Sequence, residues 1–186
     1  GSYDHGEQAG IIHVANRHIS PGKKLFTWGT GDFGTGWQAT LTDDDGSYVE
    51  LMASGYSDNQ PDFTWIQPYE TKTFSQIWYP IQQIGSVKNA NERIAVNLEA
   101  DFVGVCATED FPGARVILTV AGDVFLDETV DLEPGKPFIK KLIGAGRQKT
   151  EKETAHGHQS SVVVYDSHGN KLISYTPYPP KNEPLP

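Results

Sequence analysis

The sequence predicts an all-β protein, and three observations carry that reading. Apolar and β-branched runs of about 4–8 residues recur between clusters of Gly, Pro, Asn and Asp, the spacing of short strands joined by turns. The chain holds 19 Gly and 12 Pro against one Met, a balance that favours turns over long helices. Beyond Ser86 the runs alternate apolar and polar residues, as strands buried on one face do.

Taken in order, strands are expected near Gly10–Ala15, Leu25–Trp28, Trp37–Leu41, Tyr48–Ser54 and Thr73–Pro80. A second set is expected near Ile94–Ala100, Val103–Thr108, Arg115–Val120, Val124–Asp131, Phe138–Ile143, Ser161–Tyr165 and Lys171–Tyr175. Asn89–Ile94 has room for a short helical turn. Phe111-Pro112-Gly113 and Glu133-Pro134-Gly135 place a fixed φ before a permissive one and read as turns. Asp166-Ser167-His168-Gly169-Asn170 reads as a hairpin loop. Gly144–Gln159 is polar and reads as a mobile loop.

The character of the chain changes near Ser86. Residues 1–86 hold all four tryptophans, Trp28, Trp37, Trp65 and Trp78, in what read as irregular aromatic-rich loops. Residues 87–176 hold seven regularly spaced strands, the pattern of an immunoglobulin- or fibronectin-like β-sandwich. Residues 177–186 carry Pro177, Pro179, Pro180, Pro184 and Pro186 and read as a Pro-rich linker toward another domain.

Composition excludes some functions. Against 15 Lys and Arg stand 24 Asp and Glu, a formal charge of −9 in 186 residues. That opposes phosphate-driven nucleic-acid binding and docking on an anionic membrane. No run approaches the roughly 18 apolar residues of a spanning helix. Cys106 is the one cysteine, so neither an internal disulfide nor a cysteine-rich metal site is expected. The lone cysteine and the lack of a basic-then-apolar leader fit a cytoplasmic protein.

Several motifs invite chemistry. Gly29-Thr30-Gly31-Asp32-Phe33-Gly34 matches GxGxxG, but a dinucleotide site needs it between a parallel strand and a helix, and no helical period follows. The glycines are expected to form a tight loop that lets backbone approach a neighbour or a ligand. Asp43-Asp44-Asp45-Gly46 lacks the alternating oxygen ligands of a calcium loop and reads as an acidic hairpin turn. His13 and His18 face opposite sides of a continuous strand, and His156 and His158 lack a third ligand, so no metal is expected. No cofactor is implied. Cys106 alternates with Val103 and Val105 and reads as a buried structural thiol.

The run Tyr48-Val49-Glu50-Leu51-Met52 places Glu50 on the face opposite Val49 and Leu51. The loop after it carries Asp58, Asn59, Gln60, Asp62 and Trp65. Sugars are bound by this mixture: aromatic faces cover ring C–H groups, and carboxylates and amides bond the hydroxyls. A strand-end Glu also suits a general base. The same residues equally fit an exposed strand Glu beside an ordinary loop.

At this point a family resemblance enters. His13-Val14-Ala15-Asn16, Ile19-Ser20-Pro21-Gly22-Lys23-Lys24 and Phe26-Thr27-Trp28-Gly29 lead to Leu41-Thr42-Asp43-Asp44-Asp45-Gly46 and Tyr48-Val49-Glu50-Leu51-Met52. Asp58-Asn59-Gln60-Pro61-Asp62-Phe63, Pro68-Tyr69-Glu70-Thr71-Lys72-Thr73-Phe74 and Trp78-Tyr79-Pro80 follow. This succession resembles a bacterial family of galactose-mutarotase-like proteins, domain of unknown function 5107, often followed by tetratricopeptide repeats.

The resemblance implies that residues 1–86 are the C-terminal part of a mutarotase-like β-supersandwich ahead of the β-sandwich. It implies a carbohydrate partner, with Glu50 matching the epimerase base and Trp28, Asp58, Asn59, Gln60, Asp62 and Trp65 lining the site. The acid His of that mechanism would lie upstream, since His13 and His18 fall too late. The chain is therefore expected to be incomplete as a catalyst, and its uncovered strands near residues 10–80 to self-associate or pack on other domains of a longer chain. An epimerase or glycoside hydrolase in the longer protein, a non-catalytic carbohydrate-binding module, and a structural sandwich before a repeat array all remain open.

Overall fold

Strand pairing in the computed structural model, which describes residues 1–43, 46–55, 65–142 and 160–178, organises the chain into two units. One is formed by Gly1 and Ala15–Ile77, the other by Ser2–Val14 and Trp78–Pro186.

In the larger unit, β1 (Ser2–Asp4) and β2 (Ala9–Ala15) form an antiparallel hairpin with Asp4 opposite Ala9. The Asp4 carboxylate accepts from the amides of Gly6 (2.7 Å) and Glu7 (3.1 Å) and so holds the turn.

In the smaller unit, β3 (Gly22–Thr27) is followed by α1 (Asp32–Leu41) and β4 (Val49–Ser54). β3 and β4 pair antiparallel from Gly22 opposite Ser54 to Thr27 opposite Val49. Ser20, 1% exposed, locks this unit: its hydroxyl donates to the Ser54 carbonyl (2.9 Å) and accepts from Gln76 Nε2 (2.9 Å).

The helix corrects two expectations. Trp37–Leu41 lies in α1 and not in a strand, and a helix does follow the glycine motif. The nucleotide reading fails on a different ground, because the flanking strands β3 and β4 are antiparallel. The acidic turn at Asp43 accordingly joins a helix to a strand and is no hairpin; Asp44 and Asp45 lie outside the described residues.

β5 (Gln76–Gln82) adds to β2, giving the order β1-β2-β5. Pro80 is tolerated there because β5 is an edge strand. Trp78 thus sits in a strand, with His13 of β2 stacked on it (4.2 Å between centroids).

The remaining strands are β6 (Asn89–Ala90), β7 (Ile94–Leu98), β8 (Phe102–Ala107), β9 (Phe111–Val120), β10 (Asp123–Leu132), β11 (Phe138–Lys141), β12 (Ser160–Tyr165) and β13 (Lys171–Tyr175). They form two antiparallel sheets, β11-β8-β7-β6 and β10-β9-β12-β13. This is the expected sandwich, with the strand order of a fibronectin-like domain. Asn89–Ile94 begins with a strand pair, Asn89 opposite Val96, and not with a helical turn.

Alternate residues fill the space between the sheets: Ile94, Val96 and Leu98 of β7, Val103 and Val105 of β8, Val116 and Leu118 of β9, and Val162 and Val164 of β12. Phe111-Pro112-Gly113 opens β9 and is no separate turn; the register slips opposite it, between Val130 and Leu132. Such a bulge accommodates a proline that cannot donate to the ladder. The Glu133-Pro134-Gly135 turn and the Asp166–Asn170 hairpin loop are both present, with Gly135 and Gly169 at positive φ. The loop at 144–159 and the residues from 179 onward lie outside the described residues.

The unexpected feature of the sandwich is β7, buried on both faces. Ala95, Asn97, Gly104 and Cys106 share the outer face of the β7–β8 pair, and the 82–85 segment covers it. The Cys106 thiol meets the Gln82 carbonyl (3.5 Å), Asn97 Nδ2 donates to the Ile84 carbonyl (2.7 Å), and Ile84 lies over Gly104. Gln83 N in turn donates to Gln8 O (2.7 Å), which ties the β1–β2 turn to the same segment.

Candidate functional site

The β3–β4 hairpin presents Glu50 in a definite setting. Because side chains alternate, Phe26 and Glu50, which are cross-strand partners, stand on one face together with Lys24 and Met52. The same register carries Trp28 and Tyr48 onto that face just beyond the paired residues. The Tyr48 hydroxyl donates to Glu50 Oε2 (3.3 Å). The charge of Glu50 raises the Tyr48 pKa above that of a free phenol, so the hydroxyl keeps its proton as a donor.

Helix α1 completes the face. Gly34, in its first turn, lies so close to the preceding loop that a Cβ would meet the Gly29 and Trp28 carbonyl oxygens at 2.3 and 2.5 Å. This is the close backbone approach expected of the glycine motif. It brings Trp37 onto Trp28, stacked at 4.9 Å and 14°. Phe26 meets Trp28 edge-on at 5.3 Å, and Phe33 meets both indoles edge-on. Phe26, Phe33 and Trp37 are respectively 40%, 70% and 38% exposed, an aromatic surface open to solvent. Trp28 Nε1 is buried and has no hydrogen-bond partner among the described residues.

Of the residues singled out from sequence, the hairpin brings Glu50 and Trp28 onto one face. Trp65 is 82% exposed, and among the described residues no ring contact joins it to this cluster. Asp58, Asn59, Gln60 and Asp62 lie outside the described residues. Sequence reasoning missed Phe26, Phe33, Trp37 and Tyr48. The overlooked signal was the pair of aromatic residues Phe33 and Trp37, four apart, which stand one turn above the other on a helix.

Cys106 is buried and free, and burial pushes its thiol pKa up, the environment of a structural cysteine. Tyr79 is also buried; burial raises its pKa, and its hydroxyl donates to the Asn91 carbonyl (2.7 Å). Among the described residues, no three His, Cys, Asp or Glu are grouped as metal ligands would be. No helix among them is long and apolar enough to cross a membrane.

Two family matches now bear on this geometry. Residues 1–81 match domain of unknown function 5107. Residues 89–175 match the second domain of YphG-like proteins. The hairpin face lies within the first match and the fibronectin-like sandwich within the second. Neither description names a sugar, a reaction or a repeat array. No solved structure matches the chain.

Proposed function

We propose that this chain binds carbohydrate through the hairpin face of Phe26, Trp28, Trp37, Tyr48 and Glu50. The observation that supports this is a carboxylate set directly opposite an aromatic side chain and beside a solvent-open indole stack. A saccharide ring lays its C–H face on the aromatic surface, while Glu50 accepts from its hydroxyls and the Tyr48 hydroxyl donates to its oxygens. Loop residues Asp58, Asn59, Gln60 and Asp62, and Trp65, extend the site in this reading.

Its finer form makes Glu50 the general base of an epimerase or glycosidase in a longer, mutarotase-like protein. That form needs a proton donor on the other side of the anomeric centre. Saturation-transfer NMR against monosaccharides and short glucans tests the binding claim. Trp37→Ala is expected to weaken binding about tenfold, the equivalent of about 1.4 kcal/mol. Glu50→Gln separates binding from turnover. No binding by the folded chain sinks the proposal.

A second reading rests on the reverse face of the same hairpin, where Leu25 is 57% and Val49 46% exposed. Apolar side chains open on that face suit self-association or a protein partner. Sedimentation velocity tests it: a concentration-dependent dimer abolished by Leu25→Glu supports it, and a monomer at all concentrations refutes self-association.

A further inference from the structure

We propose that a cleft on the outer face of the β7–β8–β11 sheet is a second binding site, for a small neutral polyhydroxylated ligand held at Asn97. The cleft is about 350 Å³, within the range of small-molecule sites. It belongs wholly to the larger unit and shares no residue with the hairpin face, so the inference stands apart from the function proposed above.

The anchor is Asn97, which is fully buried. Its Nδ2 donates to the Ile84 carbonyl, which fixes which way the amide points. Its Oδ1 then lies buried without a hydrogen-bond partner among the described residues, and Asn97 is one of the residues that line the cleft. Leaving such an acceptor unsatisfied costs about 1–3 kcal/mol. A ligand hydroxyl that donates to Oδ1 recovers that energy.

The backbone beside the amide is closely fitted to it. Gly85, at φ +68°, stands over Asn97, where a Cβ would come within 3.0 Å of Nδ2. Any other residue there would crowd the amide.

The remaining walls define the ligand. Phe102 and Ile139 give an apolar surface, since Ile139 pairs opposite Gly104 on the outer face. Gln8, Gln83, Ser86 and Asp101 supply further oxygens and amides. His5 Nε2 and Ser86 Oγ are 3.5 Å apart at the rim. Charge is balanced: Glu99 is paired with Lys88 (2.9 Å), and Lys141 lines the cleft with Asp101. A balanced, acceptor-rich cleft with one apolar wall favours a neutral, donor-rich molecule over an ion.

The test is a ¹H–¹⁵N titration of the whole chain with D-glucose, D-galactose and myo-inositol. Shifts are expected at the Asn97 side-chain amide, Gly85, Ser86 and Phe102. Asp101→Ala and Ser86→Ala change cleft side chains at exposed positions. Each is expected to weaken binding about three- to tenfold. Shifts that neither variant alters overturn the inference. So does a titration that shows no ligand-induced shift at these positions. Shifts confined to residues 24–28 and 48–52 overturn this inference and leave the hairpin proposal standing; cleft shifts without hairpin shifts do the reverse.

Discussion

Gly104→Ala is the sharpest probe of how the 82–85 segment sits on the sandwich. A Cβ at Gly104 would lie 2.7 Å from Ile84 Cβ, 2.9 Å from its Cγ2 and 3.1 Å from its Cα. Carbon atoms pack comfortably at about 3.5–4.0 Å, so the segment must lift by somewhat under about 1 Å. Ile84 is fully buried, and two of the three contacts are to its Cβ and Cα, which a side-chain rotation does not move. Overpacking of this kind costs about 1–3 kcal/mol, and stretching the Asn97–Ile84 hydrogen bond adds about 1 kcal/mol. The sum, about 2–4 kcal/mol, corresponds to a fall in melting temperature of roughly 5–15 °C for a chain of this size. Urea unfolding followed by far-UV circular dichroism reads the loss, and the Asn97 side-chain amide resonance should move with it. A midpoint within about 0.5 kcal/mol of the parent, with that resonance unmoved, would refute the close seating of Ile84 on β8.

Two further substitutions and an acid titration test the rest of the account. Gly36→Ala meets nothing within 4 Å and should stabilise α1 by about 0.5–1 kcal/mol in thermal melts. Gly34→Ala drives a Cβ into backbone carbonyls and should cost about 1–3 kcal/mol, with the near-ultraviolet signal of the Trp28–Trp37 stack diminished. Both effects having the same sign would refute the close approach of α1 to the glycine loop. The Asn170 side chain, then the Asn170 and His168 amides, hold the Asp166 pKa below its ordinary value, and the Arg115 hydrogen bond does the same for Asp127. Groups lowered on folding stabilise above their unfolded pKa, and the contribution is lost as pH falls through the folded value. Stability should therefore fall below about pH 4, and Asp166→Ala should flatten that slope in acid-unfolding curves.

Much of the sandwich was legible because each of its strands carries its own alternation. Val103 and Val105, or Val162 and Val164, declare their buried face within a few residues, and Gly135 and Gly169 mark turns that need positive φ. Helix α1 was not legible. Its sequence holds Gly34, Thr35, Gly36 and Thr40, poor helix formers, and its Gly31 N-cap offers no side-chain bond. It is held by contacts outside itself: Gly34 against the Trp28–Gly29 backbone and Trp37 against Trp28. The same holds for the aromatic face, which joins residues from a strand and a helix.

The sequence by itself determined the all-β class, the seven-strand order of turns and runs beyond residue 93, and the face on which Glu50 stands. Tertiary structure alone decided what covers the outer side of β7, and so made Asn97 a buried amide whose oxygen has no partner among the described residues. Alternation tells a strand's two faces apart because it repeats every two residues. It cannot tell whether water or another segment lies over the second face, because that is settled by contacts such as Asn97 to Ile84 and Gln83 to Gln8, which lie 13 and 75 residues apart along the chain.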